Sequence, residues 1–237
     1  MQVLYEDNHI IIISKEAGEI VQGDKTGDMP LSETVKQYIK EAYAKPGNVF
    51  LGVVHRLDRP VSGIVVFART SKALTRLNEL FRTGQVHKTY WAIVEKKQAD
   101  APIGQPVRLT HWLVRNEQQN KSYAYDHEVP RSKKAQLEYR IITNQPSAPP
   151  NSTATVSRYD LLEVNLLTGR HHQIRCQLAR AGMPIRGDLK YGAKRSNPDG
   201  SISLTAHTID FVHPITKKNI HIEAPLPSDP LFRTLST

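Results

Sequence analysis

Hydrophobic positions in this chain change period from segment to segment, and each period predicts an element. Residues 3–5 and 9–13 are short apolar runs joined by Glu6-Asp7-Asn8, a tight-turn composition, and predict two strands. Leu31, Val35, Tyr38, Ile39, Ala42 and Tyr43 recur at helical spacing between Pro30 and Pro46-Gly47, which predicts a helix over 31–44. The unbroken run Ile64-Val65-Val66-Phe67 predicts a buried strand, with Ser62-Gly63 read as a turn at its start. Leu74, Leu77, Leu80 and Phe81 stripe a second helix over 71–83, with Ser71 as N-cap and Gly84 closing it.

Strict alternation from Lys88 to Val94 predicts a strand with Tyr90 and Ala92 on one face and Trp91 and Ile93 on the other. Between 98 and 130 the pattern is weak, with at most a short strand or turn at 111–114. Residues 135–142 and 159–166 alternate again and read as partners in one hairpin. Between them, 144–157 is rich in Pro, Ser and Thr and reads as a surface loop. Thr168-Gly169 then turns, and a helix is expected to run to about residue 181, closed by Gly182 and Pro184. Strands and helices in this order predict the α+β class, a largely antiparallel mixed sheet with flanking helices in a single domain over 1–237.

Composition narrows the partner. The chain has 237 residues, a formal net charge of +9 and 39% hydrophobic residues, so it can bury a core and favours a polyanion. RNA or DNA is the first candidate; an acidic membrane surface is the rival, but no basic amphipathic helix stands out. The single cysteine, Cys176, rules out an intramolecular disulfide and fits a reducing cytosol. It lies in an apolar-periodic segment and reads as core filler. The first residues lack the basic-then-apolar order of a signal peptide, and the run 10–13 is too short to span a bilayer.

The chemistry centres on His55-Arg56-Leu57-Asp58-Arg59, followed by Ser62-Gly63. Two arginines flanking one carboxylate favour its ionised form, which suits a nucleophile or a base better than a proton donor. The plain alternative is a solvated ion pair. Tyr90 reads on its own as a core residue, and Arg175 as part of an ordinary charged helix face. A guanidinium such as Arg175 can also hold a carboxylate in bidentate geometry. His171 and Arg175, four apart, would share a face of that helix. Adjacent helical residues His171 and His172 would point about 100° apart, so no metal site is expected. No G-x-G-x-x-G or P-loop occurs, and no cofactor is expected.

H-R-L-D-R-x-x-S-G resembles the signature of the RluA-type RNA pseudouridine synthases, with Val61 where that family usually has threonine. Two further motifs resemble the family in the same order: K-x-Y-x-A-x-V at residues 88–94 and L-x-T-G-R-x-H-Q-I-R at 166–175. Gly187-Asp188-Leu189-Lys190-Tyr191-Gly192 resembles its G-D-x-x-Y-G turn, and Glu16 departs from its Lys-Pro-Ala-Gly. Leu204-Thr205-Ala206-His207 is an imperfect match to Leu-His-Ala.

The resemblance implies the pseudouridine synthase fold with a central basic cleft, and isomerisation of uridine to pseudouridine in rRNA or tRNA. It implies Asp58 as nucleophile or base, Tyr90 stacking on the target base and taking part in proton transfer, and Arg175 pairing with Asp58. It further implies no S4-type module ahead of the catalytic pattern and no cofactor. Asp188 and His213 read as structural. Arg56 is expected to fill the space of a flipped base. His55, Arg59, Lys88, Arg170, Lys133 and Lys134 are expected to contact RNA, the last two beside Tyr123 and Tyr125. A cytoplasmic monomer is expected. The rival readings are a non-catalytic RNA-binding protein or chaperone on the same scaffold and an RNA hydrolase. The hydrolase would need a second carboxylate that the motifs do not supply.

Overall fold

The computed structural model describes residues 1–23, 27–95, 103–143 and 158–236. The expected Pro- and Ser-rich loop at 144–157 lies outside them. In chain order the elements begin with β1 (Gln2–Glu6), β2 (Ile10–Lys15), α1 (Leu31–Ala42), β3 (Gly52–Val53), β4 (Ser62–Ala68) and α2 (Ser71–Arg82). They continue with β5 (His87–Glu95), β6 (Val107–Asn116), β7 (Lys121–Tyr125), β8 (Lys133–Ile141), β9 (Tyr159–Leu166) and α3 (Gln173–Arg180). A short 3-10 turn (Leu189–Tyr191), β10 (Leu204–Val212), β11 (Asn219–Glu223) and α4 (Pro230–Ser236) complete them. The class is α+β, as expected. Two compact units result: Met1–Lys88 with Ala206–Pro225, and Thr89–Thr205 with Leu226–Thr237.

In the first unit β2 pairs antiparallel with β1 on one side and with β4 on the other, Ile12 opposite Val66. A strand covered on both edges and both faces favours apolar side chains on both faces, and all six residues of β2 are buried, Ser14 and Lys15 included. That is why Ile10 to Ile13 run without alternation. Ile10 and Ile12 share a cluster with Ile64, Val66, Leu77, Ile209 and Phe211. Leu77 of α2 is fully buried there, as the stripe predicts. The N-cap of α2 is Thr70, not Ser71: its hydroxyl accepts the Ala73 N–H at 3.2 Å. The α2 stop holds, with Gly84 at φ +71° and Gln85 N–H bonded back to Leu80 O.

In the second unit β5, β9, β8, β6 and β7 pair antiparallel in that order. The expected β8–β9 hairpin pair is present, Tyr139 opposite Val164. The weak 98–130 region contains a full hairpin instead of a fragment. β6 runs ten residues and carries β7 on one side, with His111 and Leu113 buried at its middle while Arg108 and Arg115 near its ends reach solvent. Such an outer pair needs only one apolar face, and its polar positions mask the alternation. α3 starts at Gln173, because His172 adopts the left-handed conformation at φ 52°. His171 therefore precedes the helix and does not share a helical face with Arg175, and the helical argument about His171 and His172 does not apply.

Candidate active site

Asp58 lies half-buried in the loop between β3 and β4. That loop is fixed from below by Lys15, the last residue of β2, whose side chain is 1% exposed. Its Nζ donates to the carbonyls of Val61 at 2.6 Å, Glu16 at 2.9 Å, Arg59 at 3.1 Å and Asp58 at 3.4 Å. An ammonium has three hydrogens, so four acceptors share them and the Asp58 carbonyl takes the weakest part. Burial pushes the Lys15 pKa down to about 8, with Glu19 and Asp58 partly opposing it. Lys15 was not among the sequence candidates; the sequence offered it only as the first residue of the segment compared with Lys-Pro-Ala-Gly, with no role assigned.

The loop is also tied sideways. Gly18 and Arg59 exchange bonds: the Gly18 N–H donates to Arg59 O at 2.8 Å, and Arg59 Nε donates to Gly18 O at 3.0 Å. Arg59 also pairs with Asp28 at 2.5 Å. Where the related family has proline, the Glu16 N–H is taken up by the Glu19 carboxylate at 2.8 Å. Beyond the loop Gly63 is a strand residue, opposite Lys15, and not a turn. At φ +111° a Cβ on it would lie 2.3 Å from Ala206 O, so only glycine lets β4 approach that backbone.

His55 packs inward. Its Nε2 accepts the Val66 N–H at 3.0 Å and its ring stacks on Phe81, centroids 4.8 Å apart. Burial and the Lys88 charge hold its pKa down to about 3, so it is neutral near pH 7. Lys88 lies 5.4 Å from the Phe81 ring centroid, and burial lowers its pKa. Arg56 is exposed.

In the second unit Arg175 is built into a cradle. Its Nε and Nη2 donate to the two carboxylate oxygens of Asp188 at 2.7 and 2.9 Å, with Arg175 5% and Asp188 1% exposed. Its guanidinium carbon sits 5.1 Å from the Tyr191 ring centroid. The Tyr191 hydroxyl accepts the Ser122 N–H at 2.8 Å and bonds His172 Nδ1 at 3.0 Å. Burial raises the Tyr191 pKa. The G-D-x-x-Y-G turn thus supplies both the carboxylate and the aromatic face that orient Arg175. His171 and His172 stack on each other at 3.8 Å, and the His171 Nδ1 meets Ser122 Oγ at 2.9 Å. Cys176 is buried, its thiol 3.1 Å from Ser122 O and pushed up to about 12.

Tyr90 stands on β5 opposite Val164 and is 7% exposed. Lys133 and Lys134 begin β8, both exposed; as strand neighbours they point to opposite faces. Arg170 reaches Lys134, its Nε donating to that carbonyl at 3.3 Å. Asp58, Arg56, His55, Arg59 and Lys88 thus fall in the first unit, and Tyr90, Arg170, Arg175, Lys133 and Lys134 in the second. Among the described residues no group of three or more His, Cys, Asp or Glu is placed to hold a metal ion. No helix among them is long and apolar enough to cross a membrane.

Comparison with known proteins gives a consistent match. Residues 9–180 match the family described as RNA pseudouridylate synthase. The chain is 32% identical to ribosomal large subunit pseudouridine synthase D of Xanthomonas campestris pv. campestris, over 97% of this chain and 67% of the relative. It is 30% identical to tRNA pseudouridine synthase C of Salmonella typhi, over 95% of this chain and 85% of the relative. Among solved structures, human RNA pseudouridylate synthase domain containing 4 superposes with a TM-score of 0.74 at 21% identity, covering 98% of this chain and 92% of that one.

Proposed function

Given that the chain belongs to the RNA pseudouridylate synthase family and is an RNA pseudouridine synthase, we propose that Asp58 carries the reaction, with Tyr90 and Arg175 acting on the same uridine. The observation that supports this most is the position of Asp58. It lies within the matched segment, in a loop whose backbone is held by the buried Lys15 ammonium.

The isomerisation breaks the N1–C1′ bond of uridine, turns the uracil and joins C5 to C1′. C5 gives up its hydrogen as a proton and N1 gains one, so atoms and electrons balance without a redox partner or cofactor. Asp58 acts either as a nucleophile at C1′ or as the base that opens a glycal route. Tyr90 offers a flat face for the base and a hydroxyl for proton transfer. Arg175, oriented by Asp188 and Tyr191, supplies a fixed guanidinium to the reaction. Arg56 fills the space of the extruded base; the exposed Arg59 and Arg170 and one of Lys133 and Lys134 contact RNA, while His55, packed on Phe81, and the half-buried Lys88 beside it line the inside of the first unit. The substrate is a structured ribosomal or transfer RNA, met in the cytoplasm by a monomer.

The test is to incubate the purified protein with separate ribosomal and transfer RNA pools lacking pseudouridine. Carbodiimide labelling then maps any pseudouridine by reverse-transcription stops. A stop made by the wild type and absent with Asp58→Ala supports the assignment; the same stop with both overturns it.

A further inference from the structure

The second unit contains a cavity of about 490 Å³ that the chemistry above does not use. That volume lies within the range of ligand pockets. Among the described residues four cationic side chains line it, Arg158, Arg186, Lys194 and Arg195, against one carboxylate, Glu95. Glu95 is shared between two of them, 3.4 Å from Arg158 and 3.8 Å from Lys194. Lys194 and Arg158 are 73% and 63% exposed at their side chains, so their heads can reach an incoming anion. Arg186 is the fixed member. It pairs with Asp229, donates to Ser203 Oγ at 2.9 Å, and its guanidinium lies 5.8 Å from the Tyr159 ring centroid.

The wall behind these charges is closely built. A Cβ on Gly187, which has φ +87°, would lie 2.8 Å from both Asn197 Cγ and Ser201 O. Asn197 is buried, its Nδ2 bonded to Ser201 Oγ at 3.2 Å and Ser203 Oγ at 3.1 Å. A concave, mostly cationic site with an aromatic wall suits a phosphodiester flanked by a ribose or a base. Along β5, Glu95 lies five residues from Tyr90, about 17 Å at strand rise, which is several nucleotides from the target base. The Arg186-Gly187 wall runs directly into Asp188, the partner of Arg175.

We propose that this cavity binds a phosphodiester of the substrate RNA away from the target uridine, and so contributes to the choice of substrate. The proposal rests on RNA being the substrate. Its test compares Lys194→Gln/Arg195→Gln with Lys40→Gln/Lys45→Gln, a double variant of equal charge change on α1 and just beyond its end, in the full chain. Affinity for ribosomal and transfer RNA lacking pseudouridine is measured from about 0.05 to 0.3 M salt. The cavity variant is expected to lose roughly tenfold in affinity and about one to two units of salt slope, the control much less. Equal behaviour of the two variants overturns the proposal. Uridine monophosphate is titrated in parallel. A cavity variant that weakens this nucleotide but leaves RNA affinity unchanged assigns the cavity to a free nucleotide and also overturns it. Pseudouridine formation by the wild type is scored in the same RNA. If the wild type binds RNA but forms none, the catalytic assignment fails while the affinity comparison still decides the cavity.

Discussion

Arg175 and Asp188 form a buried bidentate pair, Nε to Oδ2 at 2.7 Å and Nη2 to Oδ1 at 2.9 Å. Removing the Asp188 carboxylate takes two buried charge-assisted hydrogen bonds from Arg175. Asp188→Ala is therefore expected to destabilise the protein by about 3–5 kcal/mol. Chemical denaturation measures this, and a loss below about 1 kcal/mol would show that Arg175 is held by other means.

Gly63 and Gly18 both have positive φ but differ in surroundings. A Cβ at Gly63 meets the Ala206 backbone at 2.3 Å, whereas at Gly18 none comes within 4 Å. Gly18→Ala carries only the left-handed penalty, about 1–2 kcal/mol. Gly63→Ala adds the steric displacement of β4 from Ala206, a further 1–3 kcal/mol or so. Thermal unfolding of the two variants should rank them in that order; equal midpoints would contradict the close approach.

Lys15 makes stability depend on pH in a defined direction. In the folded protein its pKa lies at about 8, below the ordinary 10.5. Between those values the unfolded chain holds more protons on this group, so its contribution to stability rises with pH across that window. Below pH 8 both states are protonated and the slope from this group vanishes. The unfolding free energy of wild type minus that of Lys15→Met should thus rise by roughly 2–4 kcal/mol from pH 7.5 to 10.5. A flat difference would mean that Lys15 keeps its ordinary proton affinity.

Cys176 should be inert while the protein is folded. Its thiol is buried and pushed up to about 12, so almost no thiolate exists at pH 8. A thiol reagent should label it only after denaturant is added; labelling of the native protein at the denatured rate would contradict its burial.

The strands that form the core were legible because burial writes itself into composition. The run Ile10 to Ile13 and the alternation around Tyr90 both match their strands. The supports of the candidate residues were less legible, because they act through backbone. Lys15 binds carbonyls, which any loop sequence would present, and Gly63 is required by an approach to Ala206 from far along the chain. Asp188 was visible as part of a turn motif, but its pairing with Arg175 depends on how that turn folds against α3. His171 was misplaced for a local reason: the left-handed backbone at His172 delays the helix, and histidine, though enriched at such positions, far more often adopts ordinary backbone.

The central claim is that Asp58 drives isomerisation at uridine. Release of tritium from RNA labelled at uridine C5 tests it most directly, because C5 loses its hydrogen on becoming the glycosidic carbon. RNA taken from cells lacking this protein is incubated with wild type and with Asp58→Asn, which keeps the size of the side chain but not its charge. Release by the wild type, with at least a thousandfold loss in the variant and unchanged RNA affinity, is the predicted result. Release at similar rates by both would contradict the role of Asp58.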